Sequence, residues 1–314
     1  MQLLKRLAEA VTKRSVRRLL TDAYANPGGS GHRRIQRAAR AWYGVDRCGP
    51  IRRLASRWFV DFVFQVQQEQ SIRDQEHPFP PSPIGFDGLM IGCRAGDANS
   101  SVVYLYGFSD NLTSFALYQR YAKSGTIAVD VGANIGIHTL VLSRCVGRTG
   151  RVYAYEPLEA LYRRLTTNLS LNSAGNVTAR PYGAGEKAGT IAFDDHAGDF
   201  NIGKGRFDPG GAGTIQVRTL DDELRGVDAP VSLIKIDVEG YELPVLKGAC
   251  DTLQRHRPVL LIEYNPDAYR LAEVEACLPY PVRFAKVPET RWDVLTPVQP
   301  DDIRTRGDVL ITPA

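Results

Sequence analysis

The sequence predicts an α/β fold in which a doubly wound, mainly parallel sheet carries helices on both faces. Five short apolar runs, typical of buried strands, alternate with segments of helical periodicity between residues 127 and 277. Several of these runs end in acidic or glycine-bearing turns, and open α/β sheets bind ligands at that end of their strands. The length of 314 residues is sufficient for one such domain with an extension.

The N-terminal part is predicted to be a basic, mainly helical extension. Residues 1–60 contain 14 Lys and Arg against three acids, a charge of +11, whereas the whole chain carries +4. Leucine and valine recur at near-helical spacing from Leu3 to Leu20, with basic residues between them. Such a helix either packs its apolar stripe on the protein or lies on an anionic membrane surface. Residues 32–57 combine arginines with aromatic residues, a composition that also occurs in nucleic-acid-binding proteins.

A proline-rich segment, residues 77–83, predicts the boundary of this extension. Four prolines in six residues favour a linker, because proline has no backbone N–H to donate to a strand ladder. We therefore predict an extension over residues 1–77 and an α/β domain over residues 78–314. The sequence then predicts short strands near residues 89–93 and 102–105, and a helix over residues 112–123.

The elements of the α/β domain follow one another in a regular order. The apolar runs predict strands 127–131, 151–156, 176–182, 231–237 and 258–264. The segments between and after them predict helices 137–146, 158–171, 241–255 and 266–277. A glycine-rich region, residues 198–213, is predicted to be a mobile loop, and residues 292–295 and 308–311 are expected to supply closing strands.

The stretch Asp130-Val-Gly-Ala-Asn-Ile-Gly136 follows the first of these strands and predicts a cofactor-binding turn. Glycine lets the backbone approach a ligand that a side chain would block. The next strand ends at Glu156, twenty residues beyond Gly136. An acid at that position is placed to accept hydrogen bonds from both hydroxyls of a ribose. We therefore expect a cofactor that contains a nucleoside.

The spacing of the glycines favours S-adenosylmethionine over a nicotinamide dinucleotide. A dinucleotide fingerprint has the pattern G-x-G-x-x-G, whereas Gly132 and Gly136 are four residues apart and Asp130 precedes them. A negative charge beside the turn suits an ammonium and a sulfonium, and it would repel a pyrophosphate. An NAD-dependent oxidoreductase on a similar sheet is the alternative.

Further motifs make the chain resemble the FkbM family of S-adenosylmethionine-dependent methyltransferases. They are Y-E-P around Glu156, N-L-S-L-N at residues 168–172, K-I-D-V-E-G-Y-E from Lys235 with its L-K-G-A tail, and R-P-V-L-L-I-E ending at Glu263. With V-D-V-G-A-N-I-G they cover roughly residues 106–265. The resemblance implies a seven-stranded, Rossmann-like methyltransferase sheet whose last strand runs antiparallel.

The resemblance also implies roles for residues at the strand ends. It places Gly132, Ala133, Asn134 and Gly136 along the methionine moiety, Glu156 at the ribose, and Tyr182 and Gly183 beside the adenine. Asp130, which precedes the glycine turn, completes the predicted cofactor-binding set.

A hydroxyl acceptor needs a base, because it is a poor nucleophile at neutral pH. Asp237 and Glu239 lie just past a strand end and are the candidate catalytic bases; His138, in the first turn of the helix after Gly136, is the third. Each has a structural alternative, since an acid past a strand commonly caps the next helix and a histidine can pack against the sheet. Glu242 is expected to support its own helix through the dipole.

A metal site is a further alternative, which we do not favour. Asp237, Glu263 and Asn265 offer three oxygen ligands at neighbouring strand ends. They resemble the Mg-binding trio of metal-dependent O-methyltransferases, and Mg²⁺ prefers such ligands. The interpretation we favour is that Glu263 and Asn265 only end a strand.

The resemblance favours an O-methyltransferase that acts on a hydroxyl of a sugar, glycolipid or polyketide-like natural product. A nucleic-acid-binding or RNA-modifying protein that uses the basic arm is the alternative, although the N/D-P-P-Y/F tetrapeptide of exocyclic amine methylation is absent. The five scattered cysteines form no C-x-x-C pair, and no apolar run approaches the ~20 residues that span a bilayer. These features favour a cytoplasmic protein, with peripheral contact to an anionic membrane left open.

Overall fold

The chain divides into two compact units after Leu112. The computed structural model describes residues 15–16, 18–26, 28–43, 56–57, 59–60, 63, 78–94, 97–109, 111–194, 206–207, 213–288 and 295–314. The predicted boundary between residues 77 and 78 falls beside residues outside this described part, and it stays a prediction. Most of the predicted mobile loop, residues 198–213, also lies outside the described residues.

The first unit combines helices with a two-stranded sheet. Helix α1 (Ser30–Trp42) is followed by strand β1 (Pro78–Pro83), strand β2 (Met90–Arg94) and helix α2 (Ala98–Tyr106). Residues 18–25 are also helical, and Leu20 within them is fully buried. This burial agrees with an N-terminal helix that packs its apolar stripe on the protein. The leucines from Leu3 to Leu7 lie outside the described residues.

Two of the predictions for this unit are wrong. Residues 78–83 form strand β1, which pairs antiparallel with β2 and has an irregular register between Phe79 and Ser82. Proline is tolerated there because each strand of a two-stranded sheet is an edge strand. Residues 102–105 lie in helix α2. Asp97 caps that helix by accepting a hydrogen bond from the Ser100 amide at 3.1 Å, and Gly107 ends it with a φ of 74°.

The second unit contains an eight-stranded sheet formed by β3 (Ile127–Val131), β4 (Arg151–Tyr155), β5 (Val177–Arg180), β10 (Val231–Ile236), β11 (Val259–Tyr264), β12 (Val282–Lys286), β13 (Thr296–Val298) and β14 (Gly307–Pro313). These strands lie in the order β13-β12-β14-β11-β10-β3-β4-β5. The strand order reverses between β3 and β10, which makes the sheet doubly wound. Strands β3, β4, β5, β10 and β11 run parallel, and β14 pairs antiparallel with both of its neighbours, as predicted. The eighth strand is β13, three residues at the sheet edge.

A smaller sheet and seven helices complete the described part of the second unit. The small sheet has the order β6-β9-β7-β8, with β6 (Gly183–Ala184), β7 (Gly189–Asp194), β8 (Arg206–Phe207) and β9 (Gly213–Arg218). The helices are α3 (Leu112–Tyr121), which begins at the boundary, α4 (Ile137–Val146), α5 (Glu159–Leu171), α6 (Leu220–Glu223), α7 (Glu242–Lys247), α8 (Cys250–His256) and α9 (Leu271–Ala276). The predicted helix over residues 241–255 is thus divided into α7 and α8. At this break a Cβ on Gly248 would lie 1.9 Å from the Gly185 carbonyl oxygen, so only glycine permits the close approach.

Side-chain alternation gives the large sheet two different faces. Val129, Ile234 and Ile262 point to one face and form an apolar core with residues of helices α7, α8 and α9. Residues of opposite parity point to the other face, where the strand register places Asp130 beside Lys235, and Glu263 beside Asp308. Charged groups from four neighbouring strands therefore gather on one face near the carboxyl ends of the parallel strands.

Candidate active site

The glycine turn after β3 has a left-handed backbone at three positions. Gly132 has a φ of 82°, Asn134 of 51° and Gly136 of 92°. A Cβ on Gly132 would lie 1.9 Å from the Asp237 carbonyl oxygen, and one on Gly136 would lie 2.6 Å from Leu165 Cδ1. Within the described residues, the two glycines therefore allow the turn to pack against the end of β10 and against α5. The structure thus gives the two glycines a packing role. This role is separate from the approach of a ligand, which the sequence predicts.

Glu156 connects the glycine turn to the start of the next helix. Its carboxylate is buried and accepts hydrogen bonds from the backbone amides of Asn134 at 2.8 Å and Leu158 at 2.9 Å. Burial raises the pKa of Glu156 to about 7, although these two amide donors oppose the shift. The residue follows the carboxyl end of β4, the position at which the sequence predicts a ribose, and each carboxylate oxygen has a further lone pair.

Asp130 lies inside β3 and is fully buried. Its carboxylate accepts a hydrogen bond from Thr139 Oγ1 at 2.5 Å and pairs with Lys235 Nζ at 3.5 Å. Lys235 is itself buried and also donates to Asp237 Oδ2 at 3.2 Å. The negative charge that the sequence placed beside the glycine turn is thus balanced by an ammonium from the neighbouring strand.

Asp237 stands at the carboxyl end of β10, next to the glycine turn. Its backbone amide donates to the Val131 carbonyl at 3.0 Å, which fixes the strand end against β3. Burial by itself would raise the pKa of Asp237, but the positive charge and hydrogen bond of Lys235 lower it below the usual value. Asp237 is therefore an ionised carboxylate at neutral pH and can accept a proton or a hydrogen bond.

Glu239 and Glu263 lie close to Asp237 and share one arginine. Arg306 donates to Glu239 Oε2 and makes two hydrogen bonds to Glu263, at 3.1 and 2.8 Å. Burial and the neighbouring Asp237 raise the pKa of Glu263 to about 8, against the opposing effect of Arg306. Glu239 is therefore paired with Arg306, whereas Asp237 is paired with Lys235, a residue of β10.

The acidic residues that come together differ from the predicted metal trio. Oxygen atoms of Asp237, Glu239 and Glu263 lie within 4.8 Å of one another. Asn265 instead uses its side-chain oxygen to accept a hydrogen bond from the Asp267 amide at 3.1 Å. Since Arg306 already donates hydrogen bonds to two of the three carboxyl groups, these contacts describe a cluster held by an arginine. The magnesium alternative through Asp237, Glu263 and Asn265 stays an untested alternative.

His138 is half-buried in the first turn of α4. Its Nδ1 lies 2.7 Å from the Tyr118 hydroxyl, and the rings of Phe115 and Tyr118 meet it edge-on at centroid distances of 6.0 and 5.7 Å. Burial, followed by the positive charge of Lys235, lowers the pKa of His138 to about 3. The imidazole is therefore neutral at physiological pH.

Tyr182 and Gly183 lead into the small sheet. The Tyr182 hydroxyl donates to Glu223 Oε2 at 2.8 Å, and the Arg218 guanidinium lies 4.7 Å from the centre of its ring. Gly183 pairs with Val217 in β6 and β9. Both residues follow β5, so they occupy the strand end at which the sequence expects the adenine. Their contact with adenine stays a prediction.

Glu242 binds the turn that precedes its own helix, and its predicted interaction with the helix dipole stays a prediction. It is fully buried, and its Oε1 accepts hydrogen bonds from the amides of Val238 and Gly240 at 3.2 Å each. The carboxylate therefore holds the turn that carries Glu239.

Three residues that contact the predicted site residues, Lys235, Tyr118 and Arg306, were not predicted from the sequence. Lys235 is visible as a charge inside the apolar run L-I-K-I, a pattern that indicates a buried ion pair. Tyr118 and Arg306 gave no such signal, because they approach the site from a helix and a loop that are distant in sequence.

Comparison with known proteins identifies the class. A family model described as the methyltransferase FkbM domain matches residues 130–296. This match covers more than half of the chain and contains the glycine turn, Glu156, Asp237 and Glu263. The protein therefore belongs to the FkbM methyltransferase family.

Two curated proteins are similar to this chain. The hexuronic acid methyltransferase AglP of Haloferax volcanii is 34% identical over 134 residues, which are 42% of this chain and 54% of AglP. The methyltransferase sdnD of Sordaria araneosa is 30% identical over 190 residues, which are 49% of this chain and 72% of sdnD. The match thus spans about half the length of AglP.

The solved structures that match this chain are more distant. A crystal structure of methyltransferase FkbM from Methylobacillus flagellatus is 20% identical, covers 67% of this chain and 52% of that chain, and gives a TM-score of 0.39. A SAM-dependent O-methyltransferase from Thermotoga maritima is also 20% identical, covers 65% of each chain, and gives a TM-score of 0.37. Similarity at this level concerns the fold alone. Within the described residues, no helix has the length and apolar character needed to cross a membrane.

Proposed function

We propose that the protein is an S-adenosylmethionine-dependent O-methyltransferase whose acceptor is a hydroxyl of a sugar, glycolipid or related natural product. The observation that carries the proposal is the meeting of three features at the carboxyl ends of β3, β4 and β10. These are the left-handed glycine turn at Gly132, the buried carboxylate of Glu156, and the ionised carboxylate of Asp237. The family membership supports methyl transfer as the reaction.

The residues around the strand ends fit this cofactor by their chemistry. When bound, S-adenosylmethionine supplies an electrophilic methyl group on a positively charged sulfur. Glu156 and the carboxylates near β10 accept hydrogen bonds and favour cations, which suits the ribose hydroxyls, the ammonium and the sulfonium. The cofactor-binding set of the sequence, from Asp130 to Gly136 with Glu156, Tyr182 and Gly183, is retained in this proposal. Within it, Asp130 acts through Thr139 and Lys235.

Asp237 is the base that the contacts favour. Glu239 is engaged by Arg306, and His138 already accepts or donates through Nδ1 to Tyr118. Asp237 is bound by Lys235 at Oδ2 and remains ionised at neutral pH. It would orient the acceptor hydroxyl and take its proton as the oxygen attacks the methyl carbon. Most of the rate gain in such a displacement comes from alignment of the reacting atoms.

The acceptor class follows from the relatives and stays part of the proposal. AglP is named for a hexuronic acid, which supports a sugar acceptor for this chain. The basic N-terminal segment, residues 1–60, would attract an acidic or lipid-linked acceptor or an anionic membrane surface. A cytoplasmic location with peripheral membrane contact is consistent with this role.

The direct experiment incubates the purified protein with isotope-labelled S-adenosylmethionine and cell extract, and uses mass spectrometry to find the molecule that gains a methyl group. Calorimetry with S-adenosylmethionine and with NAD decides between the two cofactor classes. Binding of NAD alone, or of neither compound, would contradict the proposal.

The choice of base is tested with Asp237→Asn and Glu239→Gln. We expect Asp237→Asn to lower the turnover number by about 10²–10⁴, the usual contribution of a general base. Glu239→Gln should have the smaller effect because Glu239 is held by Arg306. Full activity of Asp237→Asn would exclude Asp237 as the base.

Treatment with EDTA tests the metal alternative. Turnover that persists in EDTA is the expected result for a reaction without Mg²⁺. Turnover that is lost in EDTA and restored by added Mg²⁺ would support the metal alternative.

A further inference from the structure

The immediate surroundings of His138 fix the position of its ring. Helix α4 begins at Ile137, directly after Gly136, so His138 belongs to the first turn beside the glycine turn. The Phe115 and Tyr118 rings, from helix α3, contact the imidazole edge-on. The Tyr118 hydroxyl lies 2.7 Å from Nδ1. An aromatic clamp from one helix therefore holds a histidine of the next.

The hydrogen bond between these two side chains determines where the histidine carries its proton. Tyr118 is fully buried, and among the described residues its hydroxyl makes no hydrogen bond other than the one to His138. If Nδ1 carried the proton and donated to the phenol oxygen, the phenol hydrogen would be left buried without an acceptor. Such a loss costs about 1–3 kcal/mol. The phenol must therefore donate to Nδ1, and a neutral ring then carries its proton on Nε2.

We propose that Tyr118 is a positioning residue that makes His138 a neutral hydrogen-bond donor, and that His138 offers its Nε2–H to the acceptor oxygen beside Asp237. This inference rests on the proposed function, since it assigns a role within the same transfer reaction. Among the described residues no side chain or carbonyl is bonded to Nε2, so this group is available to a ligand. His138 thereby becomes a donor to the substrate, and Asp237 remains the base.

A donor next to a base explains how an oxygen acceptor would be selected. A hydroxyl oxygen has two lone pairs. One attacks the methyl carbon, the carbon–sulfur bond breaks with its electron pair going to sulfur, and the hydroxyl proton passes to the Asp237 carboxylate. The second lone pair can accept the hydrogen bond from His138 throughout. A neutral amine has a single lone pair, which this hydrogen bond would occupy, so the arrangement disfavours amine acceptors.

The tautomer can be measured directly by NMR on protein with ¹³C- and ¹⁵N-labelled histidine, with the His138 signal assigned from a His138→Gln sample. We expect the wild-type ring to be neutral with the proton on Nε2. In Tyr118→Phe the ring should lose this preference and show both tautomers. The control is Tyr121→Phe, which removes a hydroxyl from the same helix and should leave the His138 signals unchanged. A proton on Nδ1 in the wild type would overturn the proposal, and this result requires no variant to fold.

Kinetics test the role of the donor once an acceptor is known. Tyr118→Phe and His138→Phe should each lower the turnover number about tenfold, the loss expected for one hydrogen bond in the transition state. Cofactor affinity should be unchanged, and the discrimination between hydroxyl and amine analogues of the acceptor should narrow. Unchanged turnover and selectivity in both variants would refute the donor role. Absence of any methyl transfer by the wild type would instead refute the proposed function, and the NMR result would still stand.

Discussion

At the scale of single residues, Gly132 combines a backbone requirement with a close contact. Its φ of 82° is unfavourable for any other residue, and a Cβ there would lie 1.9 Å from the Asp237 carbonyl oxygen. We expect Gly132→Ala to lower the free energy of unfolding by at least about 1–3 kcal/mol. It should also reduce turnover, because the end of β10 must move. Urea denaturation and activity assays measure the two effects.

Gly175→Ala is the matched control for this substitution. No heavy atom lies within 4 Å of a Cβ built on Gly175, and its φ is outside the left-handed region. The control should therefore unfold at nearly the wild-type urea concentration. If Gly132→Ala were as stable and as active as Gly175→Ala, the close approach of the turn to β10 would not be required.

Glu156 predicts a pH dependence of cofactor binding. Burial raises its pKa to about 7 in the free protein, so the carboxylate loses its proton as the pH rises through that value. Two ribose hydroxyls require the ionised form as their acceptor. One unit below the pKa about a tenth of the carboxylates are ionised, so we expect affinity for S-adenosylmethionine to be roughly tenfold weaker at pH 6 than at pH 8. Calorimetry at the two pH values measures the difference.

Ionisation of Glu156 has the opposite effect on the stability of the folded protein. A substitution at this position tests whether Glu156 causes the pH dependence of cofactor binding. Because the folded pKa lies above the unfolded value, the stability that Glu156 contributes is present below pH ~4.5 and is lost as the pH rises through about 7. Glu156→Gln should bind the cofactor more weakly at both pH values and with the same affinity at each. A variant that kept the wild-type pH dependence would assign it to another group.

At the scale of elements, the pairing of β3 with β10 places two opposite charges inside the sheet. Asp130 is fully buried and Lys235 is 5% exposed, and their charged atoms are 3.5 Å apart. Lys235→Met would leave Asp130 without its cation, which we expect to cost about 3–5 kcal/mol of unfolding free energy. The combined variant Asp130→Asn with Lys235→Met should recover much of this loss. Additive losses in the combined variant, measured by chemical denaturation, would show that the two charges do not interact.

The same elements show what the sequence can predict. Strands 127–131 and 231–237 and helix 137–146 were predicted to within one residue, because apolar runs of that length bounded by turns have few other solutions. The apolar run at residues 102–105 was wrongly predicted as a strand, because its pattern does not show that Asp97 caps a helix there. The pairing of Asp130 with Lys235 depends on β10 lying next to β3. That order is set by tertiary packing and cannot be derived from spacing along the chain.

At the scale of the whole molecule, charge is distributed unevenly between the N-terminal segment and the rest. Residues 1–60 carry +11 in a chain of net +4. The residues predicted to bind the cofactor all belong to the second unit, whereas the described part of the N-terminal helix belongs to the first. Leu20 and Ala23 are fully buried in that unit, and the Tyr104 hydroxyl donates to the Ala23 carbonyl at 3.1 Å. The end of this helix is therefore part of a packed core.

Two deletions distinguish packing from membrane binding. Removal of residues 1–25 should lower the melting temperature, because it deletes Leu20 and leaves the buried Tyr104 hydroxyl without its acceptor. Removal of residues 1–14 deletes four basic residues and one acid while it keeps these contacts. If the segment contacts an anionic membrane, this shorter deletion should weaken binding to anionic vesicles, since each basic residue near such a surface contributes ~1 kcal/mol. Cofactor affinity should be unchanged in both proteins. Vesicle sedimentation measures membrane binding, and equal binding of the wild type and the shorter deletion would exclude a membrane role for residues 1–14. A melting temperature that is unchanged in the longer deletion would contradict the packing of the helix.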